Sequence, residues 1–139
     1  MTDRDVINKY LGIKFKDGGR SLRGIDCFGL MQKIAEDRGI KIRDYQYNQH
    51  ESAAVWAENF YKHFSEISID DLQQWDIITF VPLAGKGIHL ATMVNGFEFI
   101  HCTETDGVVV TKLSNPVYQR RLKGCYRIKD AKCQNINQM

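Results

Sequence analysis

Four cysteines and four histidines are the side chains of this sequence best suited to nucleophilic or acid–base chemistry, and their surroundings separate them. Cys27 follows Asp26 at the start of a helical pattern in which Leu30, Met31, Ile34 and Ala35 share one face. Asp26 can accept hydrogen bonds from the free N–H groups of that helix start, and Gly39 can close its other end. A thiol attacks only once ionised, and the positive end of a helix dipole favours the thiolate, which predicts a lowered pKa for Cys27. Peptide N–H groups of the same turn can also hold an oxyanion, as acyl transfer requires. Cys102, Cys125 and Cys133 lack that placement. No C-x-x-C pair marks a zinc or redox site, so the four read as free thiols made in a reducing compartment.

A cysteine nucleophile needs a base. His89 opens one apolar strand pattern and His101 ends the next, with Asn95-Gly96 as the turn between them. A two-residue turn pairs Val94 with Phe97 and sends the two histidines to opposite faces of the sheet. A three-residue loop over 94–96, with Gly96 left-handed in a bulge, pairs Met93 with Phe97 and sets His89 directly opposite His101. In that second register His89 can take the proton of Cys27 while His101 orients the other ring nitrogen. Histidines paired on a sheet serve structure as readily. His63 falls near the end of a predicted helix and His50 precedes that helix, and neither is assigned a catalytic role.

The elements that would position these groups follow from periodicity. Val6, Ile7, Tyr10 and Leu11 predict a short first helix ended by Gly12; residues 13–25 read as Gly-rich and irregular. The cysteine helix follows, and Ala53, Trp56, Ala57, Phe60 and Phe64 predict a third helix over about 51–64. After Trp75 the pattern changes to strands at 77–81, 88–94, 97–102, 108–112 and 123–128. Helices first and strands second predict an α+β domain with an antiparallel sheet.

With 43% hydrophobic and 26% charged residues, the 139-residue chain suits one globular domain, with a core over about 3–129 and a tail over 130–139. A net charge of +2 is too mild for a nucleic-acid partner. The basic stretch from Arg120 to Lys132 reads as a solvated final strand and tail, with a docking patch as the alternative. The N-terminus is charged from its third residue and no apolar run has membrane-spanning length. The expectation is synthesis in the cytoplasm without a signal peptide, and no membrane insertion.

Gly18-Gly19-Arg20-Ser21 leading into Gly24-Ile25-Asp26-Cys27-Phe28-Gly29-Leu30 resembles the nucleophile motif of NlpC-type cell-wall cysteine peptidases. Trp75-Asp76-Ile77 is similar to that family's Gly-Asp strand start, with tryptophan in place of glycine. Ile88-His89-Leu90-Ala91 and Phe99-Ile100-His101 follow in the order of its base and third polar residue. The resemblance implies a papain-like domain whose cysteine helix packs on an antiparallel sheet. It also implies hydrolysis of amide bonds in peptidoglycan stem peptides by Cys27, His89 and His101, with no metal or organic cofactor. Asp26, Arg20, Ser21, Phe15 and Phe28 become candidate substrate-binding residues, Asp26 keeping its alternative as helix cap. Phe15 stands where the family usually has a tyrosine, so it lacks a hydroxyl that can help at the reacting carbonyl. Phe28 replaces the serine common in recycling and daughter-separation enzymes. The short Asp-Cys-aromatic-Gly-Leu form is similar to the bacteriophage tail-associated branch. That implies a place in the virion tail, other tail proteins as partners, and a role in genome delivery or tail assembly. Two alternatives stand beside it: a structural tail-tip or tail-assembly protein with a weakly active or inactive peptidase fold, and a thiol acyltransferase or amidase acting on another substrate.

Overall fold

The structure, a computed structural model, describes residues 1–42, 44, 62, 64–82 and 87–129. Helix α1, Asp3–Tyr10, starts in a reciprocal cap in which the Thr2 hydroxyl accepts from the Asp5 N–H and the Asp5 carboxylate accepts from the Thr2 N–H. It buries Val6 and Tyr10 and ends before Gly12, whose φ of +86° suits glycine. The segment expected to be irregular contains a small hairpin, β1 (Arg20–Ser21) and β2 (Gly24–Ile25), pairing Arg20 with Ile25. Two-residue strands are too short to show a period, which is why the pattern missed them.

Helix α2, Cys27–Asp37, buries Phe28, Leu30, Met31, Ile34 and Ala35. Each of the four larger side chains contributes about 1.5–3 kcal/mol of hydrophobic stabilisation, so packing rather than intrinsic propensity holds the helix. Lys9 and Tyr10 of α1 both reach Asp37, tying the two helices at the far end from Cys27.

An antiparallel six-stranded sheet follows, ordered β3-β8-β4-β5-β6-β7. Its strands are β3 (Phe64–Ile67), β4 (Ile77–Phe80), β5 (His89–Met93), β6 (Glu98–Thr103), β7 (Gly107–Lys112) and β8 (Leu122–Ile128). The α+β, papain-like architecture is therefore as expected. The third predicted helix lies outside the described residues except at its end, where Phe64 opens β3 against Ile128 instead of closing a helix. Its ring is buried in the core with Phe28, Ile77 and Leu90. One face of the sheet carries Leu90, Ile100, Cys102 and Val108 onto α1 and α2; the other gathers Ile78, Phe80, Ala91, Met93 and Phe99 beneath Tyr118 of a one-turn helix, Pro116–Gln119.

Trp75 holds a φ of +76°, where a side chain costs about 1–2 kcal/mol and glycine nothing. Its neighbours impose that conformation. The Trp75 N–H donates to the Met93 carbonyl at 2.7 Å, and Asp76 is locked by the Gln73 N–H and by both Nε and Nη2 of Arg127. The indole is retained because it packs beside α1 and α2 with the Arg38 guanidinium 5.5 Å from its ring centre. Trp75→Ala loses the packing and keeps the strain, whereas Trp75→Gly loses only the packing. In urea unfolding the glycine variant is expected to be the more stable by about 1 kcal/mol, the reverse of the usual order. A glycine variant no more stable than the alanine one would mean the backbone there stores no strain.

Candidate active site

Cys27 occupies the first helical position of α2, behind Asp26 as N-cap. The Asp26 carboxylate accepts three hydrogen bonds from structural partners. Its Oδ1 accepts from the Gly29 N–H at 2.7 Å and from Arg20 Nη1 at 2.8 Å, and its Oδ2 accepts from the Gly18 N–H at 3.0 Å. Arg20 also donates through Nε to Asp44 and lies with its guanidinium 5.1 Å from the Phe28 ring centre. The glycine loop, hairpin and helix start are thus clamped together around Cys27. Phe28, proposed from sequence as a substrate contact, is 1% exposed and packs into the core, out of a substrate's reach. Phe15 is half-buried against the α2 side of the core and forms a bridge to Ile25. Ser21 stays on the surface, its hydroxyl accepting from the Arg23 N–H.

Strand β5, which begins at His89, packs against this helix. Pairing between β5 and β6 joins Thr92 to Ile100 and Met93 to Phe99, while β4 follows β5 as far as His89 and β7 follows β6 as far as Thr103. Beyond the last β5–β6 pair the Leu90 backbone lies near enough to the Cys27 sulfur to favour its thiolate. Cys27 packs against the core cluster that contains Leu90, the residue next to His89. No hydrogen bond joins Cys27 and His89 among the described residues, and His89 Nδ1 makes none there. His89 Nε2 lies 2.7 Å from His101 Nδ1, and His101 Nε2 lies 2.9 Å from Thr111 Oγ1.

The observed hairpin corrects both registers considered from sequence. Its loop is centred on 95–97, with the Val94 N–H donating to Glu98 O and the Asn95 carboxamide accepting from the Phe97 and Glu98 N–H groups. Gly96 is not left-handed. The Asn95 side chain makes the turn that glycine was expected to make. Relative to the three-residue loop expected over 94–96, the register moves by two. That keeps both histidines on one face but sets them diagonally, not directly opposite. Thr111 was missed. It pairs with Phe99 across the β6–β7 ladder and so reaches His101 diagonally; counting forward along β7 from the turn at Gly107, whose φ is +73°, would have located it.

Burial dominates the electrostatics. It pushes the Cys27 thiol up to about 11, against the helical N–H groups and Leu90 N–H that favour the thiolate, and the Asp26 charge adds to the rise. The lowered pKa expected from the helix dipole is thereby reversed: removing the sulfur from water outweighs a half-charge at a helix end. Burial likewise holds His89 and His101 below the ordinary histidine range, Phe80, Phe99 and Tyr118 walling them from water, and repulsion from His89 adds to the lowering at His101. The resting site is a neutral thiol beside a neutral imidazole pair, suited to transferring a proton as the sulfur attacks rather than to storing an ion pair.

These depressed histidines predict a pH dependence of stability. The unfolded chain binds their protons as pH falls below about 6.5, whereas the folded chain still refuses them, so stability present above 6.5 is lost on acidification. The expected slope approaches about 1.4 kcal/mol per pH unit for each histidine. Melting temperature should fall between pH 6.5 and 5, above the ordinary carboxylate range, and His101→Asn should flatten that fall. An equal fall in both proteins would assign it to other groups.

Among the described residues no group of three or more His, Cys, Asp or Glu could hold a metal ion, and no helix is long and apolar enough to cross a membrane.

The sequence profile of the NlpC/P60 family matches residues 12–127. The chain is 23% identical over 125 residues to the murein DD-endopeptidase MepS/murein LD-carboxypeptidase of Escherichia coli K12, an alignment covering 89% of this chain and 60% of that protein. It is 30% identical over 115 residues to a "probable endopeptidase" of Haemophilus influenzae, covering 81% of this chain and 65% of the other. The chain thus spans under two thirds of the length of either relative. Among solved structures, a lipoprotein-like NLP/P60 family protein of Staphylococcus aureus superposes with a TM-score of 0.68 at 28% identity, covering 91% of this chain and 40% of that one.

Proposed function

Because this chain belongs to the NlpC/P60 family, we propose that it is a cysteine endopeptidase that hydrolyses amide bonds in peptidoglycan stem peptides. The observation that carries this reading is the packing of Cys27, at a capped helix start, against the cluster that holds Leu90, whose neighbour His89 is paired to a second histidine. The names of the relatives, endopeptidases that include a murein enzyme, support the substrate class.

In the proposed reaction Cys27 Sγ attacks the amide carbonyl carbon while His89 Nδ1 takes the thiol proton. The free N–H groups of the first turn of α2 are placed to receive charge on the carbonyl oxygen. The tetrahedral intermediate collapses as His89 gives its proton to the leaving nitrogen, breaking the C–N bond and leaving a thioester on Cys27. Water, losing a proton to His89, then releases the acid and restores the thiol.

As setting we propose a phage tail, where the protein would open the wall locally or join other tail proteins. The Asp26-Cys27-Phe28-Gly29-Leu30 form supports this, and detection in purified virions would test it. Phe15, without a hydroxyl, favours as a second reading a tail component with low turnover.

The decisive experiment is digestion of purified peptidoglycan with wild-type protein and Cys27→Ala, identifying soluble fragments by mass spectrometry. New peptide ends with wild type alone support an endopeptidase and name its bond. Folded protein that releases nothing from walls of several types would overturn it.

A further inference from the structure

His101 is 1% exposed, so water cannot serve its ring nitrogens, and a neutral imidazole has one N–H to give and one lone pair to receive with. Nδ1 meets His89 Nε2 and Nε2 meets Thr111 Oγ1. The ring is confined on its other sides by Phe99 at 4.8 Å and Tyr118 at 4.9 Å between centroids. The chain of hydrogen bonds therefore runs in one of two directions. Running inward, the Thr111 hydroxyl donates to His101, His101 donates from Nδ1 to His89, and the single proton of His89 sits on Nδ1. Running outward, His89 donates from Nε2 to His101, His101 donates from Nε2 to Thr111, and His89 Nδ1 keeps its lone pair. Only the outward direction leaves a base.

We propose that Thr111 is a positioning residue that accepts the Nε2 proton of His101 and so holds His89 in the tautomer able to take a proton at Nδ1. Thr111 is half-buried, and a hydroxyl oxygen has lone pairs to accept from the ring while its own O–H turns elsewhere. The role belongs to a terminal acceptor one residue pair beyond the histidines. Valine has the same branched shape on the strand and no acceptor. In Thr111→Val a proton on His101 Nε2 has no partner, so His101 turns to the Nδ1–H form, donates to His89 and forces the His89 proton onto Nδ1.

This rests on the reading of His89 as base, but its test does not depend on activity. Long-range proton–nitrogen NMR of the imidazoles, in protein labelled with nitrogen-15, reports which nitrogen carries each proton. Wild type and Thr111→Ser are expected to hold both rings as Nε2–H, and Thr111→Val to move both toward Nδ1–H. Wherever hydrolysis is measurable, kcat should fall about tenfold in Thr111→Val with KM little changed, by analogy with other partners that orient a histidine, and should recover in Thr111→Ser. His101 found as Nδ1–H in the wild type, or tautomers unmoved in a folded Thr111→Val protein, would overturn the assignment of Thr111. Nε2–H tautomers that move as expected in a protein without hydrolytic activity would uphold it and count instead against the peptidase reading.

Discussion

Cys27→Ala is expected to remove hydrolysis of the peptide substrate by on the order of 10⁴-fold or more, because the covalent path disappears with its nucleophile. The same substitution should leave stability within about 1 kcal/mol, since the thiol is a single half-buried group at a helix start. His89→Ala should cost nearly as much activity. With the thiol held up at about 11 by burial, almost none is ionised near neutrality without a base to take its proton. The double variant should be hardly worse than either single one, as for groups acting in one step. Rates from purified substrate, with circular dichroism and melting curves to certify the fold, decide this. Substantial activity in folded Cys27→Ala would exclude the thiol as nucleophile, and strictly additive losses would separate His89 from the same step.

Gly29→Ala should damage both stability and turnover, although alanine is the better helix former by about 1 kcal/mol. A Cβ at Gly29 would stand 2.3 Å from the Gly19 carbonyl oxygen, with Arg20 Nη1 and Ile25 Cγ1 each at 3.1 Å. Backbone atoms cannot swing aside as a side-chain end can. The helix must back away from the hairpin, a kind of overpacking that costs about 1–3 kcal/mol. The movement is applied two residues from Cys27, where a displacement of about 1 Å can cost about 100-fold in rate. Urea unfolding and kcat measured together test the idea. A Gly29→Ala protein more stable than wild type and fully active would show that helix and hairpin are not in the close contact described. The same contact explains why a glycine stands in the second position after Cys27: the backbone of the loop occupies the space a side chain would need.

Periodicity alone determined the first two helices, the strands that carry the histidines and the position of Cys27 behind a capping aspartate. Those features depend on neighbours within a few residues, which the spacing of Leu30, Met31, Ile34 and Ala35 or the short apolar runs after Trp75 report directly. The shared face of His89 and His101 was within reach of the same parity argument, but the register was not, because the loop was set by the Asn95 carboxamide rather than by a left-handed Gly96. Tertiary structure decided the remainder. The helix dipole at Cys27 is a local property, whereas its reversal by desolvation depends on the sheet packed around the sulfur. The positive φ of Trp75 is imposed by Met93 and Arg127, distant along the chain. Thr111 reaches His101 only because two strands are paired. Residue type and spacing could nominate a nucleophile and a base; which atoms lose water, and where each proton can rest, follows only from the elements that close around them.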